Sequence, residues 1–372
     1  MTNGDIAGEG EISIHQIIEQ NARIGLDCQR DDGSFPPGEN YPYDEPMTPV
    51  RQTAVWTRIL TKAYTITGDQ EFANTANRCL DYLLSDEARP HGYTFHCRYV
   101  EDKCNGLVGQ ARVIEALVYA GERLDRADAI DTAKELFSLH PFSERLGLWK
   151  RIETDGQNLS FDRTLNHQIT FASAAAMLAD EIPDARERVS RFLDMFESNV
   201  SLSSGGRVRH YVDPPVTDII EDGITNVLLN KVLLPLYSFS PSFIAKEVGY
   251  MTVIALSLSR IEVEMPSNEL WRREMYRTII EFVNENMYDI TNSHGSEYGP
   301  PFPGISIAEI SHNSNIKMLS PKEIINLKQT GIEILTTNTG EVGSPSECVS
   351  RSRVALLLNL PDIDISIDKS NK

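Results

Sequence analysis

The stretch GLVGQARVIEALVYAGERLDRADAIDTAKELFSL, residues 106–139, decides the fold class of this chain. From Gly106 to Leu124, apolar side chains recur at the spacing that places them on one face of a helix. They are Leu107, Ala111, Ile114, Val118 and Gly121. A second helical segment, Ala127 to Leu139, follows almost at once. Two helices joined by so short a connection predict a helical hairpin.

The same period recurs along most of the chain, whereas sustained alternation at period two is scarce. Further helices are predicted at Ile12–Gln29, Pro49–Thr67, Gln70–Leu84, Asn166–Asp180, Asp184–Val200 and Pro345–Leu358, and around apolar stripes that start at Ile244 and Tyr276. Long loops are predicted at residues 30–48, 87–104, 141–165, 201–223 and 289–320. Paired helices of this kind predict an all-α protein, an (α/α)6 toroid whose long loops gather at one rim. Functional sites are usually built on such loops.

The composition indicates a globular protein with an acidic surface. Asp plus Glu number 54 against 35 Lys plus Arg, a net charge of −19, which disfavours nucleic acid and anionic membranes as partners. The five cysteines are odd in number and lack a repeated close spacing, which predicts reduced thiols rather than a disulfide framework.

The sequence predicts neither a secretory leader nor a membrane span. Its first residues have no basic stretch followed by an apolar one, and the most apolar segment, Val227 to Phe239, is too short to cross a bilayer. We therefore expect a soluble, cytoplasmic protein. Residues 1–360 are predicted to form one toroid domain, and residues 361–372 a polar C-terminal tail. The sequence predicts no particular oligomeric state.

The segment CQRDDGSF, Cys28 to Phe35, resembles the Gln-x-x-Asp-Gly-Ser-aromatic turn of terpene cyclases and other α/α toroid proteins. That resemblance implies the toroid fold. It does not imply cyclase activity, because the acidic motif of the cyclases is absent from the sequence. The wider pattern is similar to that of six-hairpin glycosidases, unsaturated glucuronyl hydrolases and sugar 2-epimerases. In pattern, length and acidic composition, the chain resembles the Agl Q-type proteins of archaeal surface-glycan (N-glycosylation) gene clusters. This resemblance implies a part in assembling an N-linked oligosaccharide that contains hexuronic acids.

Asn166-His167-Gln168 stands where a long loop ends and a helix rich in small residues begins. A neutral His can transfer a proton near pH 7, and side-chain amides can hold a sugar hydroxyl or a uronate oxygen. His167 is therefore predicted to be catalytic, and Asn166 and Gln168 are predicted to bind substrate. Elimination is an alternative mechanism for the same residues. In the structural alternative, Asn166 caps the helix and His167 packs beneath the loop.

A second cluster, RVRHYVD at residues 207–213, combines cations, an imidazole and a phenol. His210 and Tyr211 are predicted to be catalytic as proton carriers, with Tyr211 also a stacking surface for a sugar ring. Arg207 and Arg209 are predicted to bind a carboxylate or phosphate of the substrate. The structural alternative is a short β-ribbon in which these groups merely alternate with valines.

Three other loops supply candidates. Tyr93 and His96, within the aromatic-rich segment His91–Tyr99, are predicted to line a sugar pocket. The His and Cys residues of this region match no usual zinc spacing, so no metal and no other cofactor is expected. Asp32 is predicted as a glycosidase carboxylate, with a turn cap as the alternative. Glu297 is predicted to bind substrate.

Several enzyme classes are disfavoured by the absence of their motifs: a P-loop, a dinucleotide fingerprint, a nucleophile elbow and a His-Glu-x-x-His helix. The predicted function is that of a carbohydrate-active enzyme acting on a hexuronic-acid-containing glycan or its precursor, by hydrolysis or His-assisted proton transfer. The alternatives are a noncatalytic glycan-binding scaffold, a uronate lyase or sugar epimerase, and a prenyl or terpene enzyme.

Overall fold

A computed structural model describes residues 9–38, 45, 47–203, 205–216, 240–292, 298–326, 335 and 344–368. In chain order the helices and strands are β1 (Glu9–Ser13), α1 (Ile14–Leu26), α2 (Pro49–Thr67), α3 (Gln70–Leu83), α4 (Gly106–Arg123), α5 (Ala127–Leu139), β2 (Phe142–Ser143), β3 (Leu148–Ile152), β4 (Asn158–Phe161), α6 (Leu165–Ala176), α7 (Pro183–Asp194), α8 (Phe196–Asn199), α9 (Pro241–Glu264), α10 (Glu274–Glu285), α11 (Met287–Asn292), α12 (Pro303–Asn313), α13 (Pro321–Ile325), α14 (Pro345–Arg351) and β5 (Asp364–Asp368). Short 3-10 helices cover Glu269–Arg272 and Ser352–Leu357.

The inner helices form a closed ring. α2 packs on α4, α4 on α6, α6 on α9 and α9 on α12, and the 3-10 helix Ser352–Leu357 contacts both α12 and α2. An outer helix packs against each inner element: α3 on α2, α5 on α4, α7 on α6, α10 on α9, α13 on α12, and α1 on the closing 3-10 helix. The prediction of an all-α (α/α)6 toroid is confirmed.

Local sequence signals set many of the helix ends. Thr48 caps α2 immediately before Pro49, and Ser240 caps α9. Gly68 ends α2 in the left-handed conformation that favours glycine. The predicted bounds of α2 and α5 agree with the observed ones because the apolar stripes of both helices, and the caps of α2, are local features.

The hydrophobic core fills the space between the outer and inner helices. Its largest completely buried side chains include Trp56, Phe72, Phe137, Trp149 and Phe171. Buried polar and charged side chains lie mainly on the inner helices, which leaves the centre of the ring chemically different from the core. Within the described ranges, no helix combines the length and the apolar character needed to cross a bilayer.

Two of the predicted long loops contain regular structure. The interpretation of residues 289–320 as a loop is wrong, because α12 lies within it and is one of the inner helices. Ile305, Ile307 and Ile310 of α12 are completely buried. The predicted loop 141–165 contains the antiparallel strands β2, β3 and β4, and this small sheet leads directly into α6.

The two ends of the described chain are joined in two ways. β1 pairs antiparallel with β5, so part of the predicted polar tail is a strand. A disulfide joins Cys28 to Cys348, and the prediction of reduced thiols is wrong for this pair. A separation of 320 residues leaves no spacing pattern that could reveal it. The free thiols, all buried, are Cys79, Cys97 and Cys104.

His140 is a completely buried titratable group beside the small sheet. Its Nδ1 lies 3.1 Å from the Lys150 carbonyl oxygen, and its ring stands edge-on to Phe171. Burial lowers the pKa of His140 to about 4, although the Lys150 carbonyl opposes this shift. The imidazole is therefore neutral in the folded protein at pH 5, where an unfolded chain would protonate it.

This difference predicts a loss of stability in mild acid. As the pH falls from about 6.5 to about 4, the unfolded chain takes up a proton that the folded one does not, so its free energy falls by about 3 kcal/mol relative to the native state. Urea unfolding at a series of pH values measures the effect. His140→Phe should flatten this slope, whereas His91→Gln, at an exposed position, should not. Equal slopes in the wild type and His140→Phe would contradict the assignment.

Candidate active site

Two segments selected from the sequence lie side by side at the start of α6. The Leu165 N–H donates to the carbonyl of His210, and the Val212 N–H donates to the carbonyl of Arg163, both at 2.9 Å. These backbone bonds hold the 207–213 segment against the residues that lead into His167. The structure thus brings together the two clusters that the sequence analysis treated separately.

His167 forms a dyad with a carboxylate that the sequence analysis missed. Its Nδ1 lies 2.9 Å from Oδ2 of Asp162, whose other oxygen accepts the Thr164 N–H at 3.1 Å. Burial opposes ionisation of Asp162, but His167, Arg151 and the Thr164 N–H together lower its pKa to about 2. An ionised carboxylate can only accept, so Nδ1 carries a proton, and in the neutral form of the ring the lone pair is on Nε2.

Buried groups hold the dyad in place. Gln168 is completely buried; its amide nitrogen donates to the carbonyls of Trp149 (2.9 Å) and Asp162 (2.8 Å), and its oxygen accepts the Trp149 N–H at 3.0 Å. The structure gives Gln168 this positioning role in place of the predicted contact with substrate. A Cβ at Gly106 would lie 2.7 Å from Oδ2 of Asp162 and 2.9 Å from Nδ1 of His167. Only glycine fits there, since φ is also +55°.

His210 lies in an aromatic setting next to the dyad. Its ring stacks on Tyr250 with centroids 5.1 Å apart, and meets the edges of Tyr211 at 4.7 Å and Phe243 at 5.6 Å. Burial lowers the pKa of His210 well below its ordinary value, and the positive charge of Lys246 lowers it further. The ring is therefore neutral at pH 7. We call these four rings, His210, Tyr211, Phe243 and Tyr250, the aromatic platform.

The two predicted substrate-binding arginines contact a second carboxylate that was missed. The Glu247 side chain is fully buried; its Oε2 lies 2.8 Å from Nε of Arg207 and 3.6 Å from Nη1 of Arg209. Its Oε1 accepts the His210 N–H at 3.1 Å. Glu247 therefore ties the 207–213 segment to α9. A role for Arg207 and Arg209 in holding substrate stays a prediction.

For Asn166 and Asp32, the sequence left both a functional role and a structural role open. Asn166 is 5% exposed, and its buried Oδ1 has no hydrogen-bond partner among the described residues. Its contact with substrate stays a prediction. Asn166 does not cap α6, whose N-cap is Thr164. Oδ1 of Asp32 accepts the Ser34 N–H at 2.9 Å, as in the turn-cap alternative.

Tyr93 and His96 lie on the loop that precedes α4. The Tyr93 ring covers Gly156 in the turn between β3 and β4, and His96 stands edge-on to Tyr99 with ring centroids 5.6 Å apart. Burial lowers the pKa of His96. Among the described residues, no hydrogen bond, ion pair or ring contact joins Tyr93, His96 or Asp32 to the Asp162–His167 dyad. Glu297 lies outside the described residues.

One group of described side chains has the proximity that a metal site needs. Asp102, Cys104 and Glu153 each bring one ligand atom within 4.8 Å of the others. Glu153, however, accepts the N–H groups of Lys103 at 3.1 Å and Cys104 at 3.0 Å, and burial raises the pKa of the Cys104 thiol. A protonated thiol is a poor ligand, and hydrogen bonding within the turn accounts for this group.

Solved structures with this architecture define the class of fold. Cellobiose 2-epimerase from Bacillus thermoamylovorans has a TM-score of 0.61 at 12% identity, covering 91% of this chain and 97% of that chain. An unsaturated glucuronyl hydrolase specific for heparin has a TM-score of 0.56 at 12% identity, covering 92% and 96%. D-mannose isomerase has a TM-score of 0.57 at 13% identity, covering 93% and 97%. The fold is the (α/α)6 toroid found in these proteins.

Sequence comparison gives the family. No protein-family model matches the chain. Archaeal glycosylation protein Q of Haloferax volcanii is 36% identical over 305 residues, which cover 78% of this chain and 82% of that protein. The chain therefore belongs to the archaeal glycosylation protein Q family, and the resemblance to Agl Q-type proteins is confirmed.

Proposed function

We propose that this protein is a carbohydrate-active enzyme of N-linked oligosaccharide assembly that transfers a proton through His167. Its substrate is a hexuronic-acid-containing glycan or the activated precursor of one. The Asp162–His167 dyad beside the aromatic platform carries this proposal. A carboxylate on Nδ1 orients the imidazole and stabilises the positive charge that forms when Nε2 takes up a proton.

The geometry favours proton abstraction over hydrolysis by two carboxylates. Glycoside hydrolysis of that kind needs one carboxyl group that is protonated and reaches the leaving oxygen. Asp162, with a pKa of about 2, is ionised at neutral pH, and the fully buried Glu247 is paired with Arg207. The base at His167 instead suits removal of a proton from a carbon next to a carboxyl or carbonyl group. That step begins both an epimerisation and an elimination.

The comparisons support a sugar as the substrate. The relative in Haloferax volcanii is named as a glycosylation protein, and the proteins that share the fold include a heparin-specific unsaturated glucuronyl hydrolase and a sugar epimerase. The aromatic platform supports it independently, because the apolar face of a pyranose ring packs on aromatic side chains.

Proton exchange with solvent provides the test. Purified protein is incubated in D2O with uronate oligosaccharides and with lipid- or nucleotide-linked uronic sugars. If the reaction is an epimerisation, abstraction at carbon is expected to introduce deuterium at the reacting position, because the carbon is reprotonated from D2O. If it is an elimination, that carbon keeps no hydrogen, and the expected product is an unsaturated sugar together with the released leaving group. NMR distinguishes the two outcomes. Saturable sugar binding without exchange, elimination or cleavage would contradict the proposal and identify a noncatalytic glycan-binding scaffold.

A further inference from the structure

Five charged side chains meet on the inner face of the ring: Arg58 of α2, Arg112 and Glu115 of α4, Arg260 of α9, and Glu309 of α12. Oε2 of Glu115 lies 3.0 Å from Nη1 of Arg58 and 3.1 Å from Nη1 of Arg112. Arg260 binds Glu309 through Nε at 2.6 Å and Nη2 at 2.9 Å. We call this group the arginine cluster.

The arginine cluster crosses the centre of the ring. α4 and α9 are not neighbours, because α6 lies between them. Nη1 of Arg260 nevertheless lies 3.8 Å from Oε1 of Glu115. The face of α4 that carries Arg112 and Glu115 therefore points toward the ring axis. The Arg112 side chain is 32% exposed.

The cluster carries more positive than negative charge. Three guanidinium groups face two carboxylates, and the side chains of Arg58 and Arg260 are only 11% and 17% exposed. Burial lowers the pKa of Arg58; Glu115 opposes this shift, while Arg260 and Arg112 add to it. A charge held out of water without a partner is costly, so the excess cation is best stabilised by an anion.

Donor groups for such an anion are already in place. Nε of Arg58 is buried and has no hydrogen-bond partner among the described residues. Arg112, whose side chain is 32% exposed, is paired with Glu115 through Nη1 and presents a planar guanidinium group, a geometry suited to two-pronged hydrogen bonding to carboxylate or phosphate. Arg260 contributes positive charge, because its Nε and Nη2 are bound to Glu309. Neutral sugar hydroxyls would leave the excess charge uncompensated.

The cluster also lies within reach of the dyad. Gly106, at the start of α4, is in contact distance of Asp162 and His167. Arg112 is six residues further along the same helix, about 9 Å at the rise of an α-helix. One sugar ligand can extend over this separation.

We propose that the arginine cluster binds the anionic group, a carboxylate or a phosphate, of the ligand whose sugar ring lies against the aromatic platform. This inference rests on the proposed function for the position of the reacting sugar. It assigns charge recognition to Arg58, Arg112 and Arg260. Arg207 and Arg209, which the sequence singled out for that task, both lie against Glu247.

Calorimetric titration at fixed ionic strength tests the inference with glucose, glucuronate and glucose 6-phosphate as probes. At least one of the two anions is expected to bind the wild type ten times or more as tightly as glucose, and the tighter one identifies carboxylate or phosphate. Arg112→Gln should reduce this preference about tenfold. The matched control is Arg123→Gln, on the same helix but paired with Glu122 at the surface, which should keep the preference.

Equal binding of all three probes by the wild type, or equal effects of the two arginine variants, would overturn the inference. A second readout needs no variant: the favoured anion should raise the Tm of the wild type more than glucose does at the same ionic strength. Anion selectivity in a wild type that exchanges no proton would support the cluster and reject the proposed reaction. Proton exchange on sugars without anion selectivity would support the proposed reaction and reject anion binding by the arginine cluster.

Discussion

Asp162→Asn is expected to lower the rate of proton exchange about 1,000- to 10,000-fold while leaving the toroid folded. The Asn amide can donate a hydrogen bond to Nδ1 of His167, which moves the ring proton to Nε2 and removes the lone pair that acts as the base. The measurement is the exchange rate in D2O at saturating substrate. Far-UV circular dichroism reports whether the fold is intact.

The same experiment tests whether Asp162 and His167 act as one unit or independently. His167→Ala should lose activity to a similar extent, and the double variant should be no slower than the slower single one, because the two side chains act as a unit. Asp155→Asn, at an exposed position in the turn between β3 and β4, is the matched control and should retain full activity. If Asp162→Asn kept more than a tenth of wild-type activity, the dyad would not be the proton-transfer group.

Removal of the disulfide is expected to have the largest effect on stability. Changing both Cys28 and Cys348 to Ala should lower the free energy of unfolding by about 2–5 kcal/mol, because the bond restricts the unfolded chain over a very long loop. The bond spans 320 residues, and the chain-entropy estimate for such a loop is about 6 kcal/mol, an upper value. Urea unfolding under non-reducing conditions measures the difference.

A reducing agent gives the control for this prediction. Wild-type protein unfolded and refolded in dithiothreitol should lose as much stability as the double variant, and the double variant should not respond to the reagent. Slow reduction of the native protein is expected, since Cys28 is 4% and Cys348 0% exposed. A wild type as stable with the reductant as without it would show that the bond contributes nothing.

The sequence predicted most of the helices because their signals are local. The stripe of α4 and the caps of α2 are contained within a few turns of chain. α12 was missed because its apolar run is short and follows the Gly-Pro-rich residues 299–303, which are typical of a loop. Its place in the ring depends on packing against α9, which no local pattern contains.

The candidate site was predicted in part. His167, His210 and Tyr211 were chosen for their chemistry, and the structure places them together. Asp162 was missed because its importance comes from burial and from the N–H groups it accepts, both of which depend on the fold. Glu247 was missed for the same reason, since its burial against Arg207 depends on the fold. The spacing of Asp162 and His167 across the start of α6 was the one usable sign of the dyad.

The pairing of β1 with β5 affects how the protein unfolds. In an open array of repeats, unfolding can start by fraying at a terminal unit and move inward, because that unit has only one neighbour. In this ring the two ends of the described chain are neighbours: β1 pairs with β5, and a disulfide joins Cys28, just after α1, to Cys348 in α14. Every hairpin is therefore an interior unit. The toroid should unfold in one cooperative step, whereas its rim loops should tolerate amino-acid substitutions.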